Sequence, residues 1–182
     1  MANAARAELR NSLLFLNFDP GVYSCRLSCV DHTERLITEC EAHEIAGVNV
    51  VCEIVESEAI DDRRLLFLVR LLRGQGFRIA LDDYGANASD ANRYALVKPD
   101  IIKFDAAWIL QLLNSADGYS VLRETIGRLK DDGVTVVLEG LEQPWQVELA
   151  LESGADLLQG FALARPEIVS GRLAELFGSI VV

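Results

Sequence analysis

No stretch of this 182-residue chain approaches the roughly 20 consecutive apolar residues of a membrane-spanning helix, although 51% of its residues are hydrophobic. The N-terminus, Met1-Ala2-Asn3-Ala4-Ala5-Arg6, lacks the basic-then-apolar order of a secretory signal. The expectation is a soluble, cytoplasmic protein without a membrane segment. Positive charge is scarce: 17 Lys and Arg stand against 28 Asp and Glu, a formal net charge of −11. Such a surface repels phosphates, which argues against a nucleic-acid polymer as partner. A small phosphorylated ligand stays open if metal ions sit between it and the carboxylates. Cysteine is too sparse for a disulfide framework in a chain this long: only Cys25, Cys29, Cys40 and Cys52. With His32 and His43 they invite a zinc site, but Cys25-x3-Cys29-x2-His32 and Cys40-x2-His43 match no standard tetrahedral spacing. On a helical stretch they read as small core residues.

What is present is a regular beat of apolar, β-branched runs and amphipathic helical patterns. Candidate strands are Leu13–Asn17, Val48–Ile54, Arg78–Leu81, Ile101–Phe104, Val134–Leu138 and Leu157–Leu163. Helical stretches fall at Arg26–Ile45, Arg63–Gly74, Ala91–Leu96, Ala107–Lys130, Trp145–Ser153 and Gly171–Phe177. Gly47, Gly76, Gly133 and Gly154 each follow a helix and precede a strand, as C-terminal caps do. There is no linker, low-complexity tract or long charge run, so one domain over residues 1–182 is expected. Alternating β and α predicts an α/β fold with a parallel, buried sheet. A doubly wound nucleotide fold would want a glycine-rich first turn, and Gly85-Ala86-Asn87 is a poor match. A (β/α)8 barrel instead collects working residues at the C-terminal ends of many strands.

The segment Leu81-Asp82-Asp83-Tyr84-Gly85 ends an apolar run with two consecutive acids. Alone it reads as a turn. The other strands carry polar groups at the same place: Asn17 and Asp19, Glu53 and Glu56, Lys103 and Asp105, Glu139 and Glu142, then Gln159. That many on one side describes a site. Crowded carboxylates repel and take up protons unless cations hold them. All-oxygen ligands favour Mg²⁺ or Mn²⁺, and two such ions about 3.5–4 Å apart suit phosphodiester hydrolysis. Lys103 in such a ring either holds the acids as an ion-pair partner or orients the attacking water.

"NFDP", "CEIVES", "IALDDYG", "KPDIIKFD", "VVLEGLE" and "LLQGFALARP" stand in the order and approximate spacing of the EAL-domain phosphodiesterases. From about Leu13 to Pro166 the chain resembles this bacterial family, whose members linearise cyclic di-GMP to pGpG on a TIM-like barrel. The resemblance implies metal ligands at Asn17, Glu53, Asp82, Asp83 and Glu139, with Lys103 and Glu139 in the catalytic group. It implies a water-orienting role for Lys103 and ligand-side roles for Gln159, Arg165 and Pro166. Glu56, Asp105 and Glu142 would anchor loops, Glu56 holding the loop after Asp83. Magnesium or manganese would be the cofactor, cyclic di-GMP the ligand and a homodimer the assembly.

Three departures qualify this. The Glu-Ala-Leu strand that names the family, whose Glu binds metal, does not occur here; about six βα units can be counted, so the TIM-like barrel is expected to be incomplete and to lack its first strand or strands. The loop Tyr84–Asp90 has Asn87 where the family usually has a second glycine. Gln143 replaces a common Thr. Losing one ligating group can remove several kcal/mol of transition-state stabilisation. Hydrolysis by this chain alone should be weak or absent, whether it is a fragment of a longer enzyme or a retired relative. A receptor or protein-interaction regulator is therefore the competing function. A sugar-phosphate barrel would want a glycine-rich phosphate cradle, which "GFALARP" does not supply. Strand Leu13–Asn17 would be an apolar edge, covered by the N-terminal helix, by a missing segment or, as favoured, by a second copy.

Overall fold

The computed structural model describes residues 12–19, 26–42, 45–54, 61–85 and 90–166. Six strands occur among them: β1 (Leu14–Phe18), β2 (Val50–Ile54), β3 (Arg78–Tyr84), β4 (Ile101–Phe104), β5 (Thr135–Leu138) and β6 (Leu157–Leu158). The helices are α1 (Arg26–Ala42), α2 (Asp62–Gly74), α3 (Asp90–Val97), α4 (Ala106–Leu113), α5 (Ala116–Asp131) and α6 (Pro144–Glu152). Strands follow one another in the sheet in chain order, and every pairing with a recorded register is parallel. The expected helix Gly171–Phe177 lies outside the described residues.

The chain divides into two compact units, Met1–Leu81 with Asn92–Pro99, and Asp82–Ala91 with Asp100–Val182. In the first, β2 is buried at every position, as a parallel strand covered on both faces must be. Its core joins Phe18, Val50, Cys52 and Ile54 to Leu65, Leu68, Val69 and Leu72 of α2 and to Ile79 and Leu81. The spacing of those four α2 residues puts them on one helical stripe. Arg73 closes the C-terminal end of α3, donating to the carbonyls of Val97 (3.0 Å) and Lys98.

In the second unit, β4 is likewise buried throughout. Ile109 and Leu113 of α4, with Leu122, Ile126 and Leu129 of α5, supply further buried side chains. Each such side chain, fully buried, contributes roughly 1.5–3 kcal/mol.

Several boundaries differ from the sequence reading, each for a local reason. The single helix expected over Ala107–Lys130 is two helices, because Ser115 takes extended angles and its hydroxyl caps α5, accepting from the Gly118 N–H at 3.0 Å. Val48 and Asn49 belong to a 3₁₀ turn (Gly47–Asn49), so Gly47 opens that turn instead of capping a helix. Strand β6 stops at Leu158, not Leu163, because the chain turns at Gly160, whose carbonyl accepts from Leu163 and Ala164. Strand β3 does not stop before its acids: it runs through both, to Tyr84.

Candidate metal centre

In the second unit, β3 delivers Asp82 and Asp83, β4 delivers Lys103, and the residue after β5 is Glu139. Adjacent residues of a regular strand face opposite ways. Asp83 breaks that alternation with φ of 53°, a left-handed conformation uncommon outside glycine, although Asp and Asn adopt it more readily than other residues. One carboxylate oxygen each from Asp82, Asp83 and Glu139 then lies within 4.8 Å of the others. Among the described residues this is the one group of three or more potential His, Cys, Asp or Glu ligands that could hold an ion.

Lys103 is only 6% exposed. Its ammonium sits 3.0 Å from Asp82 Oδ1 and 3.0 Å from Glu139 Oε2. Of the two roles open for Lys103, ion pairing is the one with distances behind it. Burial pushes the Glu139 carboxyl above its usual range, Lys103 opposes that, and Asp82 and Asp83 add to it. Hard divalent cations take oxygen ligands at about 2.0–2.6 Å, so oxygens sharing one ion stand about 3–5 Å apart. The Asp82–Asp83–Glu139 spacing fits that requirement, and the exposed side of Asp83 leaves it open to solvent.

Packing behind the acids sets their positions. Glycine is required at 140: φ is 68°, and a Cβ would collide with Ala106 at the start of α4. Asp105 is the N-cap of α4, its carboxylate accepting from the Trp108 N–H at 2.7 Å. The Asp105 N–H in turn donates to the Tyr84 carbonyl at 3.0 Å. Tyr84 meets Phe104 edge-on, ring centres 5.5 Å apart, and Phe104 stacks on Trp108 at 4.9 Å. Neither the aromatic set nor Gly140 stands out in the sequence; a glycine two residues after Asp83 and one after Glu139 is the available signal.

Asn17 and Glu53 lie in the first unit, register partners near the C-terminal ends of β1 and β2; Asn17 is exposed and Glu53 only 5% exposed. Glu56 and Asn87 lie outside the described residues. Glu142 is exposed, and its N–H and that of Gln143 both donate to the buried Gln146 amide oxygen, at 2.7 and 2.8 Å. Gln159 ties its strand end to the previous one, donating to the Leu138 carbonyl and accepting from the Leu141 N–H. Arg165 lies over the Phe161 ring at 5.1 Å, and Pro166 is exposed. The cysteines behave as core: Cys29, Cys40 and Cys52 are buried, and His32 packs edge-on against Phe18. Cys25 and His43 lie outside the described residues. No described helix is long and apolar enough to cross a membrane.

Parallel strands in chain order with acids at their C-terminal ends define a TIM-like (β/α) barrel, here incomplete, with six strands among the described residues. The family described as EAL domain matches residues 3–166, and this chain belongs to that family. It is 28% identical over 134 residues to the probable cyclic di-GMP phosphodiesterase PdeA of Escherichia coli, covering 73% of this chain and 18% of that protein. It is 28% identical over 159 residues to the EAL-domain containing protein YkuI of Bacillus subtilis, covering 85% and 38%. The chain thus spans well under half the length of these curated relatives. The crystal structure of YkuI with c-di-GMP and calcium superposes with a TM-score of 0.73 at 27% identity, covering 98% of this chain and 45% of that one. Klebsiella pneumoniae BlrP1 in its manganese and cyclic di-GMP complex gives 0.74 at 27%, covering 88% and 40%.

Proposed function

We propose that this chain is a cyclic di-GMP signalling domain of the phosphodiesterase type, a single EAL-like domain over residues 1–182. Its reaction class is metal-dependent hydrolysis of cyclic di-GMP to pGpG, weak or absent in this chain alone. The supporting observation is the convergence of Asp82, Asp83 and Glu139, the first and last of them paired with a buried ammonium. Asp82, Asp83 and Glu139 would hold Mg²⁺ or Mn²⁺; Asn17 and Glu53 are taken as further ligands on their strand-end positions and the family resemblance. Bound metal would supply an activated water and neutralise charge developing on the phosphate. Lys103 keeps Asp82 and Glu139 in place and presents a proton donor beside them. Gln159, Arg165 and Pro166 are proposed on the ligand side, and Glu56, Asp105 and Glu142 as loop anchors.

A second function, binding without cleavage, is favoured by the absence of a Glu-Ala-Leu triplet anywhere in the sequence. Incubating the chain with cyclic di-GMP and Mn²⁺ or Mg²⁺, while following pGpG and measuring binding by calorimetry, separates the two. Turnover establishes the enzyme, and binding without turnover establishes a receptor. If the chain shows neither binding nor turnover, the proposal is overturned.

We further propose a homodimer. Among the described residues β1 pairs only with β2, and its Leu14, Phe15 and Leu16 are only partly buried, an edge open to pairing. A clean monomer at micromolar concentration by light scattering would overturn this. A cytoplasmic location is proposed on the buried thiols of Cys40 and Cys52, which suit a reducing compartment.

A further inference from the structure

The left-handed backbone at Asp83 raises the question of what keeps it there. Residues in such conformations persist where their surroundings over-determine them. On one side, Asp82 is fixed by Lys103 at 3.0 Å. On the other, the Tyr84 carbonyl is held by the Asp105 N–H, and Gly85 (φ 102°) lies flat against the indole of Trp108. A Cβ on Gly85 would stand 2.6 Å from Trp108 Cδ2 and 2.8 Å from Cγ, so the backbone touches the face of the ring. The ring itself is held in three ways. It stacks on Phe104 with an interplanar angle of 8°, the backbone N–H of Trp108 donates to the Asp105 carboxylate at 2.7 Å, and Phe104 meets Tyr84.

We infer that Trp108 is a positioning residue for the acid pair: its indole is the flat floor on which Gly85 rests, and that floor keeps Asp83 in the conformation that turns its carboxylate toward Asp82 and Glu139. The inference rests on the metal-centre reading above. Trp108 acts through Gly85 and Tyr84 on the geometry of Asp83. A side chain of similar volume without a flat face would fill the space but let the Asp83–Gly85 turn relax.

The test uses the full chain and Mn²⁺ alone, with affinity read from the electron paramagnetic resonance of free Mn²⁺ and fold stability read from urea unfolding of the same samples. Removing a residue that orients a metal ligand typically weakens affinity by roughly 10–100-fold. Trp108→Leu is expected to lose Mn²⁺ affinity in that range, Trp108→Phe to keep near-wild-type affinity because the ring stack survives, and Gly85→Ala to resemble Trp108→Leu. In a Trp145→Phe background Trp108 is the one tryptophan, and its emission should change as Mg²⁺ is added. A core-filling role alone would lower the urea midpoint of Trp108→Leu and leave its Mn²⁺ affinity untouched, which would overturn the inference while sparing the metal centre. If the wild-type chain binds no Mn²⁺, both fall. If Trp108→Leu does not fold, Gly85→Ala with unchanged affinity overturns the inference equally well.

Discussion

The buried thiols of the first unit and the acid cluster of the second are accommodated in opposite ways. In the first, the thiols of Cys40 and Cys52 sit in an apolar core; burial pushes Cys52 up to about 12, and Cys40 is raised too, chiefly by burial and then by Glu39 and Glu41. They stay neutral and need no partner charge. In the second, burial acts on Glu139 in the same direction, but the acids are gathered around Lys103 and a cation answers them. A group that can shed its charge is the simpler one to bury. Carrying charge inward, with a mobile ion still to be accommodated, is a feature that stability alone does not call for. The first unit buries a carboxylate as well, Glu53, but the cluster of acids on a buried ammonium, at 3.0 Å from Asp82 and from Glu139, belongs to the second.

The largest expected effect comes from removing that cation. Lys103→Met, measured by urea unfolding in EDTA near pH 8, should cost about 3–5 kcal/mol, the usual penalty for breaking a buried pair. Added Mn²⁺ should restore part of it. A loss below about 1 kcal/mol, typical of exposed pairs, would erase the contrast between the units. Next, Cys52→Ser should cost about 1–3 kcal/mol by burying a hydroxyl where a thiol packed. In the native chain at pH 8 the Cys52 thiol should resist iodoacetamide and react once unfolded; rapid native labelling would contradict its burial.

A smaller effect concerns pH. With Glu139 raised in the folded chain, the fold binds that proton more tightly than the unfolded chain does. In EDTA, stability of the wild type relative to Glu139→Gln should rise as pH falls from above the raised value toward the ordinary glutamate range, and level off below it. A difference that grows with rising pH would reverse the assignment. The subtlest difference separates Asp82→Asn, expected to abolish Mn²⁺ binding in calorimetry, from Asn114→Ala at the end of α4, expected to leave it unchanged.

Much of this was legible in the order of residues. The βα alternation gave six strands, and β4 was read with its observed bounds, because a buried parallel strand leaves a short run of β-branched residues with little ambiguity. The acids at the strand ends were visible as a set. Less visible were effects that depend on distant partners. β3 was cut at Leu81 because two carboxylates resemble a turn, and nothing local announces that Lys103 will pair one of them. The break between α4 and α5 turned on Ser115, whose capping hydroxyl outcompeted helix continuation. The conformation of Asp83, on which the convergence of its carboxylate depends, is set by packing from α4 and has no signature of its own in a string of letters.

Gly85 rests on Trp108 and Gly140 on Ala106, both in the opening turn of α4. A single rigid cylinder therefore gauges the gap between the Asp82–Asp83 pair and Glu139. Tilt it slightly and the jaws holding an ion would open from both sides at once, without any ligating residue having been altered.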